Sequence, residues 1–118
     1  DRAELLLVHV MSTTMPVMAD GYLSPKVYED MEAAARASAQ KQLGALANQA
    51  KRAGARVKTL LLEGVPHDRI ARAARSRKAD VVVIGTHGRT GLAKLFLGSV
   101  ASRVLAIAPC PVLTVRGK

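Results

Sequence analysis

Four short apolar runs divide the chain, at residues 3–10 (AELLLVHV), 56–63 (RVKTLLLE), 80–85 (DVVVIG) and 112–116 (VLTVR). Each is too short for a buried helix and rich in Val, Leu or Ile, and the first shows no polar alternation. This predicts strands, the first of them buried on both faces as in a parallel sheet. The third run has four β-branched residues in succession, Val81 to Ile84, a composition that favours strand. Between the first two runs the period changes. Ser24-Pro25 combines an N-cap residue with a proline at the first helical position. Val27, Met31, Ala34, Leu43, Leu46 and Ala50 then follow at three- and four-residue steps that predict one apolar helical face. Glu29 and Asp30 fall in the early turns, where carboxylates suit the helix dipole, and Gly54 supplies a stop. The spacing predicts a helix of about 25–28 residues.

The remaining segments fit the same plan. Residues 11–23 mix Met, Thr, Pro and Gly without a period and read as a loop. Gly64-Val65-Pro66 turns the chain into a shorter helix with Asp68 in its first turn and Ile70, Ala71 and Ala74 facing inward. Residues 86–97 read as a second loop. Residues 98–108 read as a helix through Val100, Val104 and Ile107, closed by Pro109 and Pro111. Strands alternate with helices, so the predicted fold class is α/β with an open, mainly parallel sheet. There is no internal repeat, linker or low-complexity segment.

Composition narrows the picture. At 118 residues the length suits one domain. Only Tyr22, Tyr28 and Phe96 are aromatic, so the core must be aliphatic. No apolar run approaches the roughly 20 residues of a membrane span. Asp1 and Glu4 stand where a signal peptide would be basic. A single cysteine, Cys110, excludes an internal disulfide and suits a reducing cytoplasm. Set between Pro109 and Pro111, it reads as a small buried residue. The net charge of +9 is uneven: residues 1–50 carry −2 and residues 51–118 carry +11. A basic half suits an anionic partner.

The chemistry concentrates at residues 85–99 (GTHGRTGLAKLFLGS). Gly85 ends a predicted parallel strand, and ligands of open α/β sheets bind beyond the carboxyl ends of strands. Gly85 and Gly88 let the backbone approach an anion without Cβ interference, and successive N–H groups in such a turn form an anion-binding concavity. Gly98 and Ser99 then open a helix whose free N–H groups favour phosphate, with the Ser99 hydroxyl as a further donor. Arg89 and Lys94 could add charge, or stand as solvated loop cations. The spacing fits neither the Walker loop nor Gly-x-Gly-x-x-Gly. His87, inside the glycine loop, is the histidine best placed as a phosphate-side donor. His9 and His67 are scattered, Asp80 reads as a turn or cap residue, and Glu63 as a weak candidate for a pocket rim.

The pattern Gly85-x2-Gly88-x9-Gly98-Ser99 resembles the ATP-binding signature of the universal stress protein family. LLLVHV at 5–10, EGVPHDRIARAA at 63–74, ADVVVIGTHGRTGL at 79–92, LGSVASRVL at 97–105 and PCPVLTV at 109–115 extend the resemblance over nearly the whole chain. It implies a Rossmann-like fold, a parallel sheet of order 3-2-1-4-5 with helices on both faces. It also implies a nucleotide site in which Gly85, His87, Gly88, Gly98, Ser99 and Val100 line the phosphate and ribose, while Val10 borders adenine and Ile84 borders the same cleft. Mg²⁺ or Mn²⁺ would accompany the phosphates. The resemblance implies a homodimer formed through the last strand, Val112, Leu113, Thr114 and Val115. The family begins with a strand ending in Pro-x-Asp and a helix, and this sequence starts at the family's second strand. The expectation is therefore residues 1–118 as one universal stress protein domain, N-terminally incomplete.

The expected function is a cytoplasmic, ATP-binding regulator of stress responses. No residue reads as an evident general base and no zinc-like Cys/His spacing occurs, so an enzyme would at most hydrolyse ATP slowly or phosphorylate itself. A dimeric interaction protein without nucleotide is the other alternative. Nucleic-acid binding is disfavoured, because stacking aromatics are nearly absent and no helix-turn-helix is evident.

Overall fold

The computed structural model describes residues 3–11, 24–85 and 98–115. Seven elements follow in the order β1 (Glu4–Met11), α1 (Pro25–Arg52), β2 (Arg56–Glu63), α2 (Pro66–Ser76), β3 (Val82–Gly85), α3 (Ser99–Ile107) and β4 (Val112–Val115). They form two compact units, Asp1–Glu63 and Gly64–Lys118.

In the first unit β1 and β2 pair in parallel, from Glu4 beside Arg56 to Met11 beside Glu63. A parallel pair needs a crossover, and α1 provides it. Ser24 is extended at φ −65° and ψ 152°, and Pro25 follows in the first helical turn. The Ser24 Oγ accepts a hydrogen bond from the Val27 N–H at 3.3 Å. The helix ends where Gly54 takes φ +97°. There the Gly54 N–H donates to the Lys51 carbonyl at 2.9 Å and the Ala55 N–H to the Ala50 carbonyl at 3.1 Å, the Schellman arrangement that glycine permits. Lys51 and Arg52 complement the dipole in the last turn, whereas no acidic residue stands in the first; Glu29 and Asp30 lie beyond it.

The buried face of α1 is Ala39, Leu43 and Ala47, extended by half-buried Tyr28, Glu32, Arg36 and Ala50. The single apolar face expected from Val27 to Ala50 is therefore corrected. Val27, Met31 and Leu46 are exposed. At about 100° per residue, the nine-residue step from Ala34 to Leu43 turns the face by about 180°, so the two groups could not share a side. Arg36 joins helix to sheet: it pairs with Glu32 one turn earlier at 3.6 Å and with Glu63 at the end of β2. β1 is half-buried from Leu6 onward, less enclosed than a strand covered on both faces.

In the second unit β3 and β4 pair in parallel, from Val82 beside Val112 to Gly85 beside Val115. The Val82 N–H also reaches the Pro111 carbonyl at 3.0 Å. α2 and α3 pack on each other. They bury small residues: Ala71, Ala73 and Ala74 on α2, Ala101 and Val104 on α3. Val104 is fully enclosed. The sheet alternates in exposure. Val82, Ile84, Val112 and Thr114 are half-buried, while Val81, Val83, Leu113 and Val115 face outward.

α2 ends as α1 does, with one substitution of principle. The Lys78 N–H donates to the Arg75 carbonyl at 3.2 Å and the Ala79 N–H to the Ala74 carbonyl at 2.9 Å. The left-handed position is Lys78, at φ +52°, where glycine is customary. An L-residue there costs about 1–2 kcal/mol.

β1 pairs with β2 and β3 with β4, each pair a separate two-stranded sheet. These are the neighbours that an order of 3-2-1-4-5 gives when its first strand is not among the four. The α/β class and parallel pairing follow the expectation, and β2 and α3 fall at the expected positions.

Candidate functional site

The site expected from the glycine pattern lies in the second unit. β3, α3 and β4 form one parallel crossover, so α3 runs back against both strands and starts on the side where β3 ends. That side carries Ile84 and Gly85 at the end of β3 and Gly98, Ser99 and Val100 at the start of α3. Ile84 is half-buried, and Gly85 and Ser99 are exposed. His87, Gly88, Arg89 and Lys94 lie outside the described residues.

The three helix starts differ in how their free amides are treated. α1 is closed by the Ser24 hydroxyl. α2 has Val65 at its cap position and no side-chain hydrogen bond there, but carries Asp68 in its first turn. α3 has Gly98 at the cap, extended at φ −62° and ψ 157°, with no side-chain hydrogen bond and no acidic residue in the first turn. Its first helical hydrogen bond runs from the Ser102 N–H to the Gly98 carbonyl at 2.9 Å. The N–H groups of Ser99, Val100 and Ala101 precede that bond and have no partner within the helix. With the positive end of the helix dipole behind them, they can receive an anion. Gly98 is not in a left-handed conformation, so its use here is the absence of a side chain over these donors.

The other expected residues are placed as follows. Val10 is half-buried near the end of β1, beside Leu62. His9 pairs in register with Leu61. His67 is half-buried in the first turn of α2, and Asp80 is exposed just before β3. Glu63 is engaged with Arg36. Cys110 is half-buried rather than enclosed. Among the described residues no three His, Cys, Asp or Glu side chains come together as a metal site. A shallow groove runs along α1 past Glu29, Glu32, Arg36 and Gln40, and its cation is already matched by Glu32 and Glu63. The Arg36 pair with Glu63 joins residues 27 apart in sequence, and no spacing rule reveals it.

Fold and helix end together define an open parallel α/β protein in which, among the described residues, one helix start without a side-chain cap lies on the side where β3 ends. The pattern that describes the universal stress protein family matches residues 1–116. The chain belongs to the universal stress protein family. It is 46% identical over 77 residues to Universal stress protein MJ0531 of Methanocaldococcus jannaschii, a match that covers 65% of this chain and 45% of that protein. It is 35% identical over 114 residues to a universal stress protein of Thermus aquaticus, covering 97% of this chain and 78% of the relative. Among solved structures, protein MJ0577 superposes with a TM-score of 0.83 at 24% identity, over all of this chain and 78% of its own. A universal stress protein of Arabidopsis thaliana solved with AMP bound superposes with a TM-score of 0.68 at 24% identity, over 98% of this chain and 65% of its own. At these identities the structural likeness concerns the fold. Among the described residues no helix is long and apolar enough to cross a membrane.

Proposed function

We infer that this chain is a nucleotide-responsive regulator of stress responses that binds ATP at the start of α3. The observation that carries the reading is the contrast between helix ends: among the three described helices, only α3 lacks both a side-chain cap and a first-turn carboxylate. A triphosphate would supply the missing acceptors, with the amides of Ser99, Val100 and Ala101 as donors and the Ser99 hydroxyl beside them. Gly85, His87 and Gly88 would line the phosphates and ribose, as the family resemblance implies, and Ile84 the cleft for the base. The AMP held by the Arabidopsis relative supports an adenine nucleotide. A charge-assisted hydrogen bond contributes about 1.5–3 kcal/mol, so three convergent donors supply about 4.5–9 kcal/mol toward the roughly 8 kcal/mol of micromolar binding. An accompanying Mg²⁺ or Mn²⁺ would take its ligands from phosphate oxygens and water. In this reading residues 1–118 act as one cytoplasmic domain and pair as a homodimer through β4, Val112–Val115, whose main-chain groups bond only β3 among the described strands. Occupancy would alter partner choice rather than drive turnover.

Calorimetric titration with MgATP tests the reading. Saturable binding by the protein, lost in Gly98→Val/Ser99→Ala, is the expected result. The valine puts a branched side chain over the amides and the alanine removes the hydroxyl. Equal binding by both proteins would place the nucleotide elsewhere than the start of α3, and no binding by the folded wild type would leave a nucleotide-free interaction role as the better account.

A further inference from the structure

A second feature of the Gly64–Lys118 unit is cationic and separate from the start of α3. Residues 69–78 contain Arg69, Arg72, Arg75, Arg77 and Lys78 and no acidic residue. Arg72 is held by Asp68 at 3.0 Å, and Arg69 lies against Gly64. Arg75, Arg77 and Lys78 are exposed, and among the described residues none has a carboxylate within ion-pair distance. They stand together on a fixed turn, held by the bonds from Arg77 N–H to the Ala73 carbonyl, Lys78 N–H to Arg75 and Ala79 N–H to Ala74. Ala71, Ala73 and Ala74 are buried, so α2 is docked by its other face and keeps these cations outward. Lys78 occupies a left-handed position at φ +52°. A residue that breaks a local rule while adding charge to a like-charged cluster points to use rather than stability.

The partner must offer several closely spaced negative charges. Arginine forks suit phosphate oxygens, which they grip two at a time. A lipid surface fits less well, because the exposed residues here are Arg72, Arg75, Ser76, Arg77 and Lys78, with no large apolar side chain to insert. We propose that the carboxyl end of α2 with its turn, Arg75, Arg77 and Lys78, docks on the phosphate backbone of duplex nucleic acid without reading sequence. The scarcity of aromatic residues opposes stacking on single strands, and backbone contact requires none.

Fluorescence anisotropy with a labelled mixed-sequence DNA duplex, over a series of KCl concentrations, tests this. Three proteins are compared: wild type, Arg75→Gln/Arg77→Gln/Lys78→Gln, and Lys41→Gln/Lys51→Gln/Arg52→Gln, which removes equal charge from α1. The expected result is wild-type binding that weakens steeply with salt. The α2 variant should bind at least about tenfold less tightly at the lowest salt, with a log–log slope smaller by about 2.7 for three lost phosphate contacts. The α1 variant should stay within about threefold, because the proposal makes the phosphate contacts with the α2 cations alone. If circular dichroism shows the triple α2 variant unfolded, Arg77→Gln alone should reduce the slope by about 0.9. The proposal is overturned by no wild-type binding at the lowest salt, by equal losses in the two triple variants, or by an unchanged slope in Arg77→Gln. Tighter binding to phosphatidylglycerol vesicles or to polyglutamate than to the duplex would also overturn it.

Discussion

The starts of α1 and α3 are two solutions to one problem. A helix leaves its first N–H groups without partners. α1 satisfies one of its donors internally, with the Ser24 hydroxyl on Val27, and Pro25 has no N–H to satisfy. α3 begins at Gly98, which has no side chain to offer, and adds no acid in its first turn. The first arrangement stabilises the fold. The second gives up a few tenths of a kcal/mol at the cap and keeps donors open on the side of the sheet where ligands of such folds bind. The difference separates a helix end built for stability from one available to an anion.

The largest test of that separation lies in the core of the first unit. Leu43→Ala empties a buried position on α1 and should cost about 2–5 kcal/mol, read as a lower denaturation midpoint. Below its unfolding temperature the variant should bind ATP as the wild type does. A large loss of affinity in the folded variant would mean that the α3 end does not act by itself.

Next comes Gly98→Asp, which would make α3 resemble α1. Gly98 already has an extended conformation at φ −62°, so the new side chain fits without strain and caps the helix. ATP affinity should fall about 10- to 100-fold, the equivalent of one lost charge-assisted bond, while thermal stability stays level or rises slightly. Opposite signs for binding and stability are the signature of a site. A parallel fall in both would reduce Gly98 to a structural role.

Ser24→Ala is the mirror experiment. It opens the α1 end and should cost about 1 kcal/mol of stability in chemical denaturation, with ATP affinity unchanged. Nucleotide binding that improved would show that any uncapped helix end of this protein recruits phosphate.

The other ends of the helices offer the smallest effect. α1 and α2 close with the same pair of hydrogen bonds, yet one uses Gly54 and the other Lys78. Lys78→Gly should raise stability by about 1 kcal/mol, less whatever the unfolded chain gains in freedom. No gain would mean that the lysine side chain contributes enough elsewhere to offset its backbone strain.

Local signals carried much of this into the sequence. Ser24-Pro25 marked the start of α1 and Gly54 its end, and both elements of the cap geometry are present. Gly98-Ser99 marked the start of α3, because a glycine before an apolar helix says both where the helix begins and that no cap side chain stands over its amides. Three features were hidden for physical reasons. The helical phase of α1 is lost between Ala34 and Leu43, where alanine is the only apolar residue type, so Val27 and Met31 were grouped with Leu43 although they face away from it. The Arg36–Glu63 pair joins a helix to a strand, and only tertiary structure brings them together. The left-handed turn at Lys78 was invisible because the glycine that normally announces it is absent.

The most direct test follows backbone amides by nuclear magnetic resonance during an ATP titration, with the two helix starts compared in one sample. The account predicts saturable shifts at Ser99, Val100 and Ala101 and none at Lys26, Val27 and Tyr28, whose end is closed by Ser24. Shifts of equal size at both ends, or a saturating titration that leaves Ser99, Val100 and Ala101 unmoved, would contradict it.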